Sequence, residues 1–329
     1  MKKKLACLLA LALIPVSAFA HPPDAGKVET VVQFSSAQLE TPESIALDEK
    51  GNIYISLAIR GEIRKIAPDG SQSSLVFLPI GPPLTFCGPF FNAVTGITLG
   101  KHGYLYASVV SCEEENRGIW RISTEDGSAE ILGTVPLAGL PNGIAVRHGY
   151  VYAADTSLGV IWRVPVGGSP TGEAELWLSD PLLEGDFSQV PPIGGANGLQ
   201  IFRQTMYVAN SGFGTIVAIP FEPHDQPGEP AIHATLPSGL GCDDFAFDVH
   251  GSIYCGTNVS NFLIRIDPDG TSEILLTAAD GLDGPTAAAF GRKGADRFNL
   301  YITNGAFPFG PNNQSPSLMR LHLGVQGAP

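Results

Sequence analysis

The stretch "PNGIAVRHGYVYAAD", residues 141–155, decides the fold. It opens on a small polar pair, runs through an apolar strand, turns at His148-Gly149 and returns as a strand rich in Tyr, Val and Ala. Alternation on either side of a Gly turn is the mark of a β-hairpin. The same phrase recurs in phase five more times: "PESIALDEKGNIYIS" from 42, "VTGITLGKHGYLYAS" from 94, "ANGLQIFRQTMYVAN" from 196, "CDDFAFDVHGSIYCG" from 242 and "PTAAAFGRKGADRFNLYITN" from 285. A spacing of roughly 43 to 55 residues is that of a repeat architecture. Four copies continue into a third strand of one type ("GEIRKIAPDG", "RGIWRISTEDG", "GVIWRVPVGG", "FLIRIDPDG"), and most add a fourth, such as "SSLVFL", "AEILGTV", "AELWL" or "SEILLT". Six units of four strands, with hardly any helical periodicity, predict an all-β fold, a six-bladed β-propeller.

The last unit stops at "SLMRLHLG" (317–324) without a fourth strand, while "KVETVVQF" (27–34) has no blade of its own. Residues 27–34 are therefore expected to complete blade six, closing the ring and removing an exposed sheet edge. A seven-bladed ring or an open solenoid is the alternative. Ahead of this strand, "MKKKLACLLALALIPVSAFA" combines three lysines, a short apolar run and the small-x-small ending Ala18-Phe19-Ala20. That is the pattern of a secretory signal peptide over residues 1–20, with an uncleaved anchor as the alternative. Residues 21–329 then form a single propeller domain, periplasmic or secreted. No later segment approaches the ~20 apolar residues of a membrane span, so no membrane insertion is expected. The formal net charge of −13 repels nucleic acid and anionic lipid, and no Lys/Arg cluster argues back. No nucleophile elbow, zincin helix or phosphate-cradling Gly loop is present.

The first strand of each propeller blade lines the central channel, so the residue that starts it points at the axis near one rim. Through the six copies that position reads Glu43, Thr95, Asn142, Asn197, Asp243 and Thr286. Pseudo-sixfold symmetry thus explains why Asn-Gly recurs at 142 and 197: positions far apart in sequence meet at one end of the channel. Each of Glu43, Asn142, Asn197 and Asp243 taken alone reads as a turn or cap residue. Together they supply two carboxylates and two amide oxygens, a set that matches a hard divalent cation. Calcium takes six to eight oxygens at about 2.3 to 2.6 Å and tolerates irregular cages, whereas zinc would prefer His or Cys. One axial Ca²⁺ is expected, and another divalent ion could take its place.

The spacing of Glu43, Asn142, Asn197 and Asp243, each opening a blade, resembles the calcium-dependent lactonase propellers: the senescence marker protein/gluconolactonase family and the paraoxonases. The phrases "PESIALDEKGNIYIS" and "PNGIAV" also resemble NHL repeats. This resemblance implies that the four residues are metal ligands and that Asp243 serves as base or nucleophile. A cation held there can polarise a lactone or ester carbonyl and acidify a bound water, while Asp243 or Asp244 takes a proton. Asp244 replaces the Gly that follows Asn142 and Asn197, and reads equally as a second site carboxylate or a turn residue. Two features depart from the paraoxonases. Ser44 and Gly143, not acidic residues, follow Glu43 and Asn142, so no second calcium is expected. His102, His148 and His250 fall in hairpin turns at the opposite rim, so no catalytic histidine pair is available.

Three long loops share the rim of the ring: "PIGPPLTFCGPFFNA" from 79, "SDPLLEGDFSQVPPIGG" from 179 and "NGAFPFGPNNQSP" from 304. Their Phe86, Phe90, Phe91, Phe187, Phe307 and Phe309 are candidates for an apolar substrate wall, or simply pack the loops down. A wall of this kind suits a small apolar lactone or ester better than a free sugar acid. The four cysteines beyond the signal are expected to pair Cys87–Cys112 and Cys242–Cys255, since crossed pairs would join blades on opposite sides of the ring, beyond the ~7 Å reach of a disulfide. The function expected is thus an exported, calcium-dependent hydrolase of a lactone or ester. Its rivals are a non-enzymatic ligand- or protein-binding propeller with a structural calcium, and a strictosidine-synthase-like enzyme acting without hydrolysis.

Overall fold

The computed structural model describes residues 26, 28–87, 90–186, 188, 194–307 and 315–329; the proposed signal peptide, Phe187 and Phe309 lie outside them, as does the side chain of Phe90. Six antiparallel sheets surround an axis. Their innermost strands are Pro42–Leu47, Ala93–Leu99, Pro141–Arg147, Ala196–Phe202, Phe245–Phe247 and Pro285–Phe290. Each lies against the next, and the sixth against the first. Blade four carries a small extra hairpin, Thr215–Glu222 with Gln226–Pro227, before its outer strand Ala231–Thr235. Among the described residues helical structure is limited to short 3-10 turns, and no helix is long and apolar enough to cross a membrane.

The ring closes as the sequence requires. Val28–Gln33 pairs antiparallel with Ser317–His322, its register running from Val28 opposite Leu321 to Gln33 opposite Ser317. The core lies between blades. Of the six tyrosines at one position of the repeated second strand, Tyr54, Tyr106, Tyr152, Tyr254 and Tyr301 are buried and Tyr207 is half-buried, and three of them reach a turn aspartate with the hydroxyl: Tyr54 to Asp48 at 3.3 Å, Tyr254 to Asp248 at 3.2 Å and Tyr301 to Asp296 at 2.9 Å.

Two local devices aim the starts of the innermost strands. In five blades a β-bulge interrupts the first hairpin there, between Pro42 and Ile45, Val94 and Ile97, Pro141 and Ile144, Ala196 and Leu199, and Pro285 and Ala287. A bulge rotates the extra residue out of the pleat, which turns the ring residue toward the axis. The second device is the glycine that follows the ring residue in blades two to four. A Cβ at Gly96 would run into the carbonyl of Asn142, one at Gly143 into that of Asn197, and one at Gly198 into that of Asp243. The neighbouring backbone comes too close for any side chain. Gly143→Ala should therefore cost about 1–3 kcal/mol, since backbone has no rotamer to move into. Gly167→Ala, whose Cβ meets nothing within 4 Å, should leave the urea midpoint unchanged.

Candidate functional site

The six ring positions divide into two groups. Thr95 and Thr286 are buried and act as clips: Thr95 Oγ1 donates to Pro141 O at 2.7 Å and Thr286 Oγ1 to Pro42 O at 3.1 Å. Thr156 Oγ1 donates to Ala196 O and Ser211 Oγ to Cys242 O, both at 2.8 Å. Every carbonyl that immediately precedes Glu43, Asn142, Asn197 or Asp243 is thus bound by a hydroxyl of the preceding blade. The backbone beneath the four oxygen-bearing side chains is fixed from outside their own sheet.

The same hydroxyls settle the orientation of the amides. Asn142 Nδ2 donates to Thr156 Oγ1 at 3.3 Å and Asn197 Nδ2 to Ser211 Oγ at 3.0 Å. Each hydroxyl has already spent its proton on a carbonyl, so it can only accept from the amide. The amide oxygens therefore face the other way, and Asn197 Oδ1 is buried without any partner. In blade five the polarity is reversed. The ring residue there is a carboxylate, and its neighbour is the donor Asn258, whose Nδ2 reaches Asp243 Oδ2 at 3.3 Å.

The carboxylates are held in an unfavourable state. Burial pushes Glu43 well above the usual carboxylate range, and the charges of Asp243 and Asp244 push it further. Burial likewise raises Asp243 to about 7, with Asp244 adding to the shift and hydrogen bonds from Asn258 and Asn197 opposing it. Asp244 rises to about 6 for the same first reason, restrained by bonds from Phe245 N–H at 2.8 Å and Gln200 Nε2 at 3.5 Å. All three keep some accessible surface, being at the channel, but sit far enough inside for desolvation to dominate. Asp244 lies within electrostatic range of Glu43, with one oxygen tied down. Glu43 Oε2 is buried and has no partner. Its neighbour Ser44 is structural, accepting from Ile97 N–H at 3.1 Å.

Two orphaned buried oxygens beside mutually repelling carboxylates make a donor set that fits a cation. Among the described residues no group of three or more His, Cys, Asp or Glu side chains stands close enough to hold a metal between them. A cation here would need the two amides as well as the carboxylates. Beyond the ring the channel continues as a cavity of about 130 Å³ among Ile45, Ile97, Gln200, Phe245 and Ala288, with Arg292 and Ala328 also on its wall.

At the rim, Phe86 is exposed and meets Phe91 edge-on with centroids 6.5 Å apart, and Phe91 lies 6.0 Å from Phe307. The loop before blade two and the insert of blade six therefore touch, over the side of the ring that carries Glu43. Leu158, Phe213 and Val259, in the loops after the second strands of blades three to five, also expose apolar side chains on this rim. The periodicity gave no reason to single them out. Both disulfides are formed, with Cα separations of 5.0 Å for Cys87–Cys112 and 5.7 Å for Cys242–Cys255.

The SMP-30/gluconolactonase/LRE-like region model matches residues 188–306. No curated protein sequence matches the chain. Solved structures match over nearly all of it. A gluconolactonase from Xanthomonas campestris is 18% identical with a TM-score of 0.64, covering 92% of this chain and 91% of its own. Luciferin-regenerating enzyme is 16% identical with a TM-score of 0.65, at 92% and 97%. The calcium-binding protein regucalcin from Agrobacterium tumefaciens is 13% identical with a TM-score of 0.62, at 92% and 95%. The fold is that of the gluconolactonase- and regucalcin-like six-bladed propellers, and blades four to six carry the matched family region.

Proposed function

We propose that the protein is a lactonase-type hydrolase whose site is the ring of Glu43, Asn142, Asn197 and Asp243, with calcium as its resident ion. The observation that carries this reading is the pair of buried, unpartnered oxygens, Glu43 Oε2 and Asn197 Oδ1, in a ring whose carboxylates are raised by burial and by one another. Bound there, calcium would supply the positive charge that polarises a lactone or ester carbonyl and acidifies a water. Glu43 and Asp243 balance that charge, and Asn142 and Asn197 add neutral donors held in place by Thr156 and Ser211. Asp243, with Asp244 close by, is the group placed to take the proton that water gives up on attack. The aromatics Phe86, Phe91 and Phe307 exclude water on one flank, favouring an apolar acyl or aromatic lactone over a free sugar acid. The signal-like start, together with the two disulfides, supports a periplasmic or secreted location.

The test is hydrolysis of a panel of sugar, acyl and aromatic lactones, with calcium added or with the protein stripped by chelator. Turnover that needs calcium and favours the acyl or aromatic members is the expected result. A melting temperature raised by calcium with no member hydrolysed would instead make the ring a structural or ligand-binding feature.

A further inference from the structure

Blade five lacks the device that aims the ring residue elsewhere. In blades one, three and four the residue just before the ring position pairs across the hairpin above the bulge: Pro42 with Leu57, Pro141 with Asp155, Ala196 with Asn210. Blade two does the same through Val94 opposite Val109. In blade five the equivalent residue is Cys242, and ladder pairing starts only at Phe245 opposite Cys255. Asp243 and Asp244 therefore stand on a stretch outside the sheet, at the point where two carboxylates repel Glu43. The remaining bonds to this backbone are single ones, Asp243 N–H to Gly256 O at 2.9 Å, Asp244 N–H to Thr286 O at 2.8 Å, Gly198 N–H to Asp243 O at 3.1 Å and Ser211 Oγ to Cys242 O at 2.8 Å. The covalent tie is the bridge from Cys242 to Cys255, both fully buried between blades four and five among Ile216, Leu236 and Phe245.

We infer that the Cys242–Cys255 disulfide is the positioning element for Asp243, a covalent substitute for the strand pairing that sets the ring residue in the other blades. This rests on the reading of the ring as a cation site for its consequence, but not for its geometry. A bond between Cys242 and the second strand fixes the residue directly before Asp243, as the Pro42–Leu57 and Pro141–Asp155 pairs fix theirs. The Cys87–Cys112 bridge joins two rim loops and has no such partner in the ring.

The experiment compares amide hydrogen exchange at Asp243 and Asp244 in the metal-stripped wild type, in Cys242→Ala/Cys255→Ala and in Cys87→Ser/Cys112→Ser. A second pair, Cys242→Val/Cys255→Val, refills the buried space should the alanine pair not fold; Val94 and Val208 occupy these two positions in blades two and four. Loss of the blade-five bridge is expected to speed exchange at both amides at least about tenfold and to weaken calcium binding in calorimetry about tenfold. Loss of the rim bridge leaves the two amides as they were. Exchange at Asp243 within twofold of wild type in a folded variant overturns the inference, whatever happens to calcium. Faster exchange in a protein whose wild type takes up no calcium upholds it and removes the cation reading instead.

Discussion

Replacing Asp243 by Asn is expected to make the metal-stripped protein more stable and at the same time to abolish both its response to calcium and its turnover. The two effects share one cause. Burial and the neighbouring Asp244 hold the Asp243 carboxyl at about 7, far above the ordinary 3.8, so in the stripped protein its charge is a liability. A shift of that size corresponds to roughly 4 kcal/mol. Because Glu43 and Asp244 still repel one another in the variant, a gain on the order of 2 kcal/mol at pH 8 is expected. Turnover should fall about 10³-fold, as losing one charged group of such a site commonly does. Thermal melts with and without calcium, beside lactone kinetics, measure both. A variant that is less stable than the stripped wild type, yet still stabilised by calcium, would show that Asp243 is no ligand.

The second large effect is on pH. Asp243 at about 7 and Asp244 at about 6 hold protons in the folded, metal-stripped protein that the unfolded chain has already released. Their contribution to stability is complete below pH ~4 and is lost as pH rises toward 7. Calcium needs the ionised forms, so its binding must expel those protons. The calcium-induced rise in melting temperature should be small at pH 5 and largest at pH 8, with proton release on binding near pH 6. The difference between the two ends is on the order of 3 kcal/mol. A calcium effect that is flat across this range, or larger at pH 5, would place the ion away from Asp243 and Asp244.

The fold was legible because one hairpin phrase returns six times in phase, and phase in a propeller is position. The same argument reaches Glu43, Asn142, Asn197 and Asp243 without any structure. A further signal lay in the repeat unread. Four residues beyond the repeated tyrosine of the second strand stand Thr156, Ser211 and Asn258, in the three blades whose ring residues are Asn142, Asn197 and Asp243. Hydroxyl acceptors face the amides and an amide donor faces the carboxylate, a complementarity visible once the copies are aligned. The glycine after each Asn is required by the backbone of the next blade, a contact that only the closed ring creates. Least legible were the loops: that Phe91 meets Phe307 depends on irregular backbone for which no period exists.

The strand that closes the ring ties Glu29 to Arg320, 291 positions away. The first strand of the fold to be synthesised is therefore the last to find its place. Until residue 322 has emerged, the chain holds five blades and a gap, and joining the sixth closes a loop of nearly its whole length, an entropic step that no local contact can anticipate. Closure of the ring must then follow completion of the chain instead of keeping pace with it. A protein built in this order stays open while it is being made, and brings Glu43, Asn142, Asn197 and Asp243 together in one late event.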